Sequence, residues 1–232
     1  MTFARPPRPA AATRRRRGPL GPTVAILIAI VVLVMILAQV WTEVLWYRQV
    51  GFLDVLTTQW LTRAALFVGG FLVMGIAVWA ALRVAYQSRP VYAPTTPEQA
   101  SLDQYREMIE PLRRLVMIAG PAVLGFFAGS AASAQWADVL LFLNRVEYGA
   151  ADPQFGLDLS FYMFVLPALR FVVSFLLAVA VVAGIAGLAT HYLYGGLRVG
   201  QGQGPRTTSA ARLQLGITAA VITALVGANY WL

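Results

Sequence analysis

Apolar residues are grouped along this chain in long blocks and do not alternate with polar ones. About 20 apolar helical residues are enough to cross the roughly 30 Å hydrocarbon layer of a bilayer. Five blocks approach or exceed that length, at residues 23–41, 64–86, 115–135, 167–193 and 213–232. The pattern therefore predicts an all-α, polytopic transmembrane helical bundle of about five spans, which together form one transmembrane domain over residues 23–232.

Proline sets the expected start of the fourth span. The apolar run 159–194 is too long for one crossing and contains Pro167. Proline is tolerated in the first turn of a helix and disrupts a helix interior. We therefore expect a short helix, Leu159 to Leu166, followed by a span that begins at Pro167.

Three segments between the blocks are expected to lie along membrane surfaces as interfacial amphipathic structure. The outer ones are residues 41–63, rich in tryptophan, and residues 136–167, since aromatic rings favour the membrane interface. The inner one is a helix within residues 96–110, whose apolar positions recur every three to four residues. In the second outer segment the apolar stripe consists of Trp136, Val139, Leu140, Leu143 and Val146.

Composition agrees with a membrane protein, because 59% of residues are hydrophobic and 12% are charged. Ordinary soluble domains have roughly half and a quarter. The chain has no cysteine, so disulfides, thiolate nucleophiles and cysteine-ligated metals are excluded. The one histidine, His191, cannot form a multi-histidine metal site, and we expect it to be hydrogen-bonded near a membrane interface. No cofactor and no metal site is predicted.

The basic residues predict the topology. Residues 1–22 are rich in proline, alanine and arginine and are expected to be a disordered cytoplasmic tail. The first block could be a cleaved signal peptide, but its apolar core is longer than usual and no small-residue cleavage site follows. With the tail inside, fourteen arginines lie on its side of the membrane and four on the other. Cytoplasmic segments retain positive charge, so we expect the N terminus inside and the C terminus outside the cell (inner) membrane. The same rule explains Arg14 to Arg17 without a nucleic-acid partner.

The outer stretch DPQFGLDLSFYMFVLP, in which two aspartates and two prolines bracket an apolar, aromatic run, supplies the candidate functional residues Asp152, Asp158 and Tyr162. Asp152 followed by proline favours a turn, and Asp158 is placed to cap the helix that follows. Tyr162 would anchor that helix at the outer interface. Cation binding or acid–base catalysis by the two carboxylates is the alternative, although no EF-hand-like spacing is present. We expect no catalytic residue here.

Small residues at helical spacing mark a packing face in the third span. Gly125, Gly129 and Ser133 occur four residues apart, an arrangement that lets another helix approach closely. Packing within the chain is the favoured use, and an oligomer contact is the alternative. The oligomeric state is not predicted.

Four motifs carry a resemblance to a known family: WYRQVGF from Trp46, the DPQF block from Asp152, HYLYGG from His191 and the terminal YWL. The chain resembles large, uncharacterised integral membrane proteins found mainly in actinobacteria and cyanobacteria. The resemblance implies much longer proteins with seven spans and a large domain outside the membrane. This chain would be either the N-terminal membrane portion of such a protein or a shortened relative. It implies no activity.

Anchoring features are plentiful in this sequence and chemical motifs are scarce. The leading hypothesis is a membrane anchor or scaffold for an exported domain or partner subunits. Its partners would be the lipid bilayer and other membrane or envelope proteins. One alternative is a transporter of a lipid-like or hydrophobic solute along a groove between the third and fourth spans. The other is an envelope enzyme that uses the outer carboxylates.

Overall fold

A computed structural model describes residues 20–89, 111, 113–197 and 207–232. Most of the predicted tail, residues 1–19, and all of the predicted inner-surface helix, residues 96–110, lie outside these ranges. The chain divides into two compact units, with the boundary between Thr57 and Thr58. The sites below lie in the second unit, Thr58–Leu232.

The described residues form helices and no β-strand. Five helical stretches are long and apolar enough to cross a membrane. The prediction of an all-α chain with about five such helices is therefore confirmed. The helices are α1 (Leu20–Gln49), α2 (Leu53–Gln87), α3 (Arg113–Ala134), the short α4 (Trp136–Leu143), α5 (Leu166–Leu193) and α6 (Ser209–Trp231).

A tight turn joins α1 to α2. Gly51 has φ +78°, a left-handed conformation that glycine adopts without steric cost. Its N–H donates to the Arg48 carbonyl at 3.3 Å, and the Phe52 N–H donates to the Tyr47 carbonyl at 3.0 Å. These two bonds form a Schellman motif, which ends a helix by satisfying its last carbonyls. Residues 41–63, predicted as a surface segment, are therefore the end of α1, this turn and the start of α2.

The expected break at Pro167 is absent. Pro167 does lie in the first turn of α5, but the backbone is already helical from Leu159. Residues Phe161–Val165 form a π turn, in which the Leu166 N–H donates to the Phe161 carbonyl. An α-helix would bring the proline ring against the carbonyl four residues earlier, and a wider turn makes room for it. The prediction of a separate short helix is wrong for this reason.

The core of the second unit lies where α2, α3 and α5 meet. Its buried side chains are Met74 and Val78 from α2, Ala128 from α3 and Val179 from α5. Helix α6 packs mainly against α5. Near Gly184 of α5, an added Cβ would lie 2.7 Å from the Thr218 methyl group of α6, so these two helices are in close contact.

Candidate functional site

The three candidate residues lie in a folded segment, residues 148–162, which we call the carboxylate loop. Asp158 accepts hydrogen bonds from three backbone amides. Its Oδ1 accepts from Ser160 at 2.7 Å and from Tyr148 at 3.1 Å, and its Oδ2 accepts from Gly149 at 2.8 Å. The contact with Ser160 is the predicted helix cap. The bonds to residues nine and ten positions earlier hold the loop closed, and they were not predicted.

Asp152 organises the other half of the loop and contacts Tyr162. Its Oδ2 accepts from the Phe155 N–H at 2.8 Å and from the Tyr162 hydroxyl at 3.3 Å. Its backbone carbonyl accepts from the Gly156 N–H at 2.9 Å, which closes the expected turn. The structure therefore brings Asp152 and Tyr162 together, while Asp158 binds a separate set of amides.

Backbone contacts complete the fold of the loop. The Asp152 N–H donates to the Leu157 carbonyl at 2.7 Å, and the Leu159 N–H donates to the Ala150 carbonyl at 2.9 Å. Gly149 and Gly156 have φ +79° and +67°, so both bends use the left-handed conformation. The loop is consequently held by its own hydrogen bonds.

The electrostatics of the loop favour an ionised Asp158. Its pKa is lowered well below the ordinary range, first by the hydrogen bond from the Ser160 hydroxyl and then by the amides of Ser160, Tyr148 and Gly149. Hydrogen bonds to a carboxylate stabilise its charged form. A carboxylate in this state is a weak base and releases no proton near neutral pH. The part of the chain that the structure describes also contains no group of three His, Asp or Glu residues that could hold a metal ion.

The predicted packing glycines lie against the backbone of α2. A Cβ added at Gly129 would lie 2.6 Å from the Phe67 carbonyl oxygen, and one added at Gly125 would lie 2.8 Å from that of Phe71. Ser133 instead donates its hydroxyl to the Ser130 carbonyl of its own helix at 2.8 Å. Ala132, only 2% exposed, takes the next position in the contact.

A buried hydrogen-bonded chain connects three helices at the end of α5. His191 is 1% exposed, and its Nε2 lies 2.9 Å from the Gln214 Oε1 of α6. The Gln214 Nε2 donates to the Ala81 carbonyl of α2 at 3.1 Å. Because the Gln214 amide nitrogen is used in this way, its oxygen accepts and His191 Nε2 carries the proton. The sequence indicated that His191 is hydrogen-bonded, but it did not identify Gln214 or the Ala81 carbonyl as the other members of this chain.

The HYLYGG motif also ends α5. Gly195 has φ +73°, and its N–H donates to the Tyr192 carbonyl at 3.3 Å. The Gly196 N–H donates to the His191 carbonyl at 2.7 Å, which completes a second Schellman motif. A Cβ at Gly196 would lie 2.8 Å from His191 Nδ1, so the ring also requires glycine there.

Comparison with known proteins identifies the family. A protein-family model described as "Uncharacterised protein family (UPF0182)" matches residues 20–232. The chain belongs to this family. The actinobacterial resemblance inferred from the motifs is thereby confirmed. A UPF0182 protein of Arthrobacter sp. (strain FB24) is 49% identical over 230 residues, which are 97% of this chain and 23% of the relative.

Other UPF0182 relatives give the same picture. A protein of Clavibacter sepedonicus is 49% identical over 231 residues, and one of Thermobifida fusca (strain YX) is 42% identical over 232. Each alignment covers 100% of this chain and 23% of the relative, so the chain spans less than a quarter of their length. No solved structure matches the chain.

Proposed function

We propose that this chain, a member of the UPF0182 family, anchors and positions an exported domain or partner subunits at the cell membrane. The observation that carries the proposal is the hydrogen bonding of Asp158, whose two oxygens hold three backbone amides. A carboxylate used in this way shapes a surface and has little capacity left for chemistry. Five helices able to cross a membrane provide the anchor.

The carboxylate loop and the residues just before it present apolar side chains outward. Leu143, Val146, Tyr148 and Phe155 are each 65–69% exposed. An exposed apolar group on a segment fixed by its own hydrogen bonds suits contact with another protein or with lipid. Because the loop is already ordered, a partner would bind it without a large loss of conformational entropy.

Charge distribution supports the cell membrane with the N terminus inside. Carboxylates do not distinguish the two sides of the second unit: Asp138, Glu147, Asp152 and Asp158 lie between α3 and α5 in the sequence, and Glu98, Asp103, Glu107 and Glu110 lie between α2 and α3. Among the described arginines of this unit, Arg83, Arg89, Arg113, Arg114 and Arg212 lie where α2 stops and α3 and α6 begin, whereas Arg63, Arg145 and Arg170 lie towards the other helix ends. Under the positive-inside rule the arginine end faces the cytoplasm and the carboxylate loop faces outward.

The geometry gives less support to transport or to catalysis. Gly125 and Gly129 lie on the third span, one of the two that the transport alternative placed along its groove, and both pack against α2. The outer carboxylates hold backbone amides and a tyrosine hydroxyl. We therefore favour a scaffold over either alternative.

The proposal is tested by site-specific photocrosslinking in native membranes. A photoreactive residue at Phe155, 67% exposed, should form adducts with protein. The same residue at Ile118, 71% exposed on α3, is the matched control and should label lipid. If Phe155 labels only lipid, as Ile118 does, the partner-positioning function is refuted.

A further inference from the structure

A groove open to the surroundings runs along one side of α6. Its volume is about 530 Å³, within the range of about 300–1,000 Å³ that small-molecule sites occupy. Gly216 lies near its middle, and among the described residues no neighbouring atom is within 4 Å of a Cβ added there. The described residues that line the groove all belong to α6: Ser209, Arg212, Leu213, Gly216, Ile217 and Ala220.

The groove has a cationic end and an apolar remainder. Its two polar lining residues, Ser209 and Arg212, are among the first four residues of α6. Arg212 is exposed and is the only charged residue in the sequence of this helix. Leu213 and Ile217, on either side of Gly216 in the sequence, are 66% and 57% exposed. Charge at one end and apolar surface along the rest are the pattern that an anionic amphiphile matches.

The length of the groove fits one leaflet of a bilayer. From Ser209 to Ala220 it extends about 16 Å, at about 1.5 Å per helical residue. One leaflet supplies about half of the roughly 30 Å hydrocarbon layer. Helix α6 is long and apolar enough to cross that layer, and the sequence just before it, residues 200–206, is rich in glycine and glutamine. Arg212 therefore lies at the headgroup end of such a leaflet.

A second helix is the other occupant that this face could accept, because Gly216 and Ala220 are small residues four positions apart. In a parallel symmetric pair, however, both copies use the same face, so Arg212 would approach its own counterpart. Like charges repel strongly where the dielectric constant is reduced. An anionic headgroup places opposite charge at the same position, so charge complementarity favours a lipid.

We propose that the α6 groove binds one anionic phospholipid, with its phosphate at Arg212 and an acyl chain over Gly216. The Arg212 guanidinium and the Ser209 hydroxyl are both donors for phosphate oxygens. The acyl chain covers apolar surface of Leu213 and Ile217. The two ends of the lipid are thus held by different residues and can be tested separately. This inference does not depend on the scaffold proposal.

The test measures binding of short-chain phosphatidylglycerol to the purified chain in a nonionic detergent, with bound lipid counted by native mass spectrometry. Arg212→Gln removes the charge, and Gly216→Leu fills the apolar part of the groove. The control Arg114→Gln removes an exposed arginine at the start of α3. The control Gly227→Leu adds the same side chain about three turns further along the same face of α6, outside the groove lining, where an added Cβ also meets no described atom within 4 Å.

We expect Arg212→Gln to weaken phosphatidylglycerol binding about fivefold, since arginine near an anionic headgroup contributes favourably to binding. Gly216→Leu should weaken binding by a similar factor, and both controls should bind like the unmodified chain. An equal loss in Arg114→Gln would indicate general charge attraction and overturn the site. Unchanged binding by Gly216→Leu, or an equal loss in Gly227→Leu, would overturn the groove as the place of the acyl chain. Dimers of the chain that Gly216→Leu separates would show that a second copy occupies the groove.

Two further measurements on the unmodified chain decide the outcome if a variant fails to fold. The chain should bind phosphatidylglycerol more tightly than phosphatidylcholine of the same chain length, and equal binding would overturn the role of Arg212. Inorganic phosphate at the lipid concentration should not displace phosphatidylglycerol, because it makes no contact along the apolar part of the groove. Displacement by inorganic phosphate would overturn the assignment to lipid.

Discussion

Replacing Gly129 by alanine would place a methyl group 2.6 Å from the Phe67 carbonyl oxygen of α2. An ordinary carbon–oxygen contact is about 3.3 Å, so the overlap is about 0.7 Å. A side chain could rotate away, but this oxygen belongs to the helix backbone. Helices α2 and α3 must therefore separate by a similar distance. We expect Gly129→Ala to destabilise the bundle.

The distance by which α2 and α3 separate determines how much stability Gly129→Ala loses. A gap of about 0.5–1 Å loses a quarter to a half of the dispersion energy of each atom pair that it opens. Other close contacts of the same interface would open with it, since a Cβ at Gly70 would already lie 2.8 Å from the Ala132 Cβ. Overpacking by one methyl group typically costs about 1–3 kcal/mol. Alanine gains up to about 1 kcal/mol over glycine in helix propensity, which offsets part of that cost.

The matched control lies on the same helix. Gly120 has no atom within 4 Å of an added Cβ, so Gly120→Ala gains helix propensity without a clash. The difference between the two variants isolates the packing cost. Thermal unfolding in detergent is monitored by size-exclusion chromatography of the heated protein. The unfolding midpoint should be on the order of 5 °C lower for Gly129→Ala than for Gly120→Ala. Equal midpoints would refute the close approach of α2 and α3.

Three further changes test other contacts. The lowered pKa of Asp158 means that its stabilising contribution is complete above the ordinary value of 3.8 and is lost only as the pH falls towards the folded-state pKa. Hydrogen exchange of the loop amides should therefore show no loss of protection between neutral pH and that value once intrinsic exchange rates are allowed for, and Asp158→Asn should lose protection at neutral pH. Gln214→Leu leaves His191 without its partner and should lower the free energy of unfolding by about 1–3 kcal/mol. The double variant Gln214→Leu/His191→Phe should lose less stability than the two single variants added together. Additive losses would contradict the hydrogen bond. Gly195→Ala, at φ +73°, should lower the unfolding midpoint relative to Gly216→Ala, which has open space around it and no positive φ.

Hydropathy predicted the number of described helices that are long enough to cross a membrane, but not where they end. The apolar blocks give the lengths that a bilayer requires, and the helices fill them because every backbone group in hydrocarbon must be paired internally. Helix α1 nevertheless continues to Gln49 through aromatic and charged residues. A helix also satisfies its backbone in water and headgroups, so a fall in hydropathy does not end it. Helix α1 ends instead at Gly51, where two backbone hydrogen bonds satisfy its last carbonyls.

The packing face was predicted with one error, which follows from helix geometry. With 3.6 residues per turn, positions four and seven residues after Gly125 stay on its face, and position eight rotates away. These positions are Gly129, Ala132 and Ser133 respectively. Accordingly Ala132 is buried and Ser133 bonds to its own helix. Spacing alone suggested a serine where the structure has an alanine.

The contacts between helices could not be predicted from the sequence. Tyr86 and Arg113 are 27 residues apart, and His191 and Gln214 are 23 apart. Apolar blocks specify which residues are helical and leave open which faces meet. Each of these pairs contains a group that is costly to leave unpaired in an apolar environment, so the sequence indicates that partners exist without identifying them.

Residues of the motifs on which the family resemblance was based begin and end helices in this structure. Gly51 and Gly195 end helices, and Asp158 begins one while closing the loop in front of it. These are backbone functions, and they fix where spans start and stop. Any chemistry must come from side chains free to contact a substrate, and the carboxylates of these motifs are bound to their own loop.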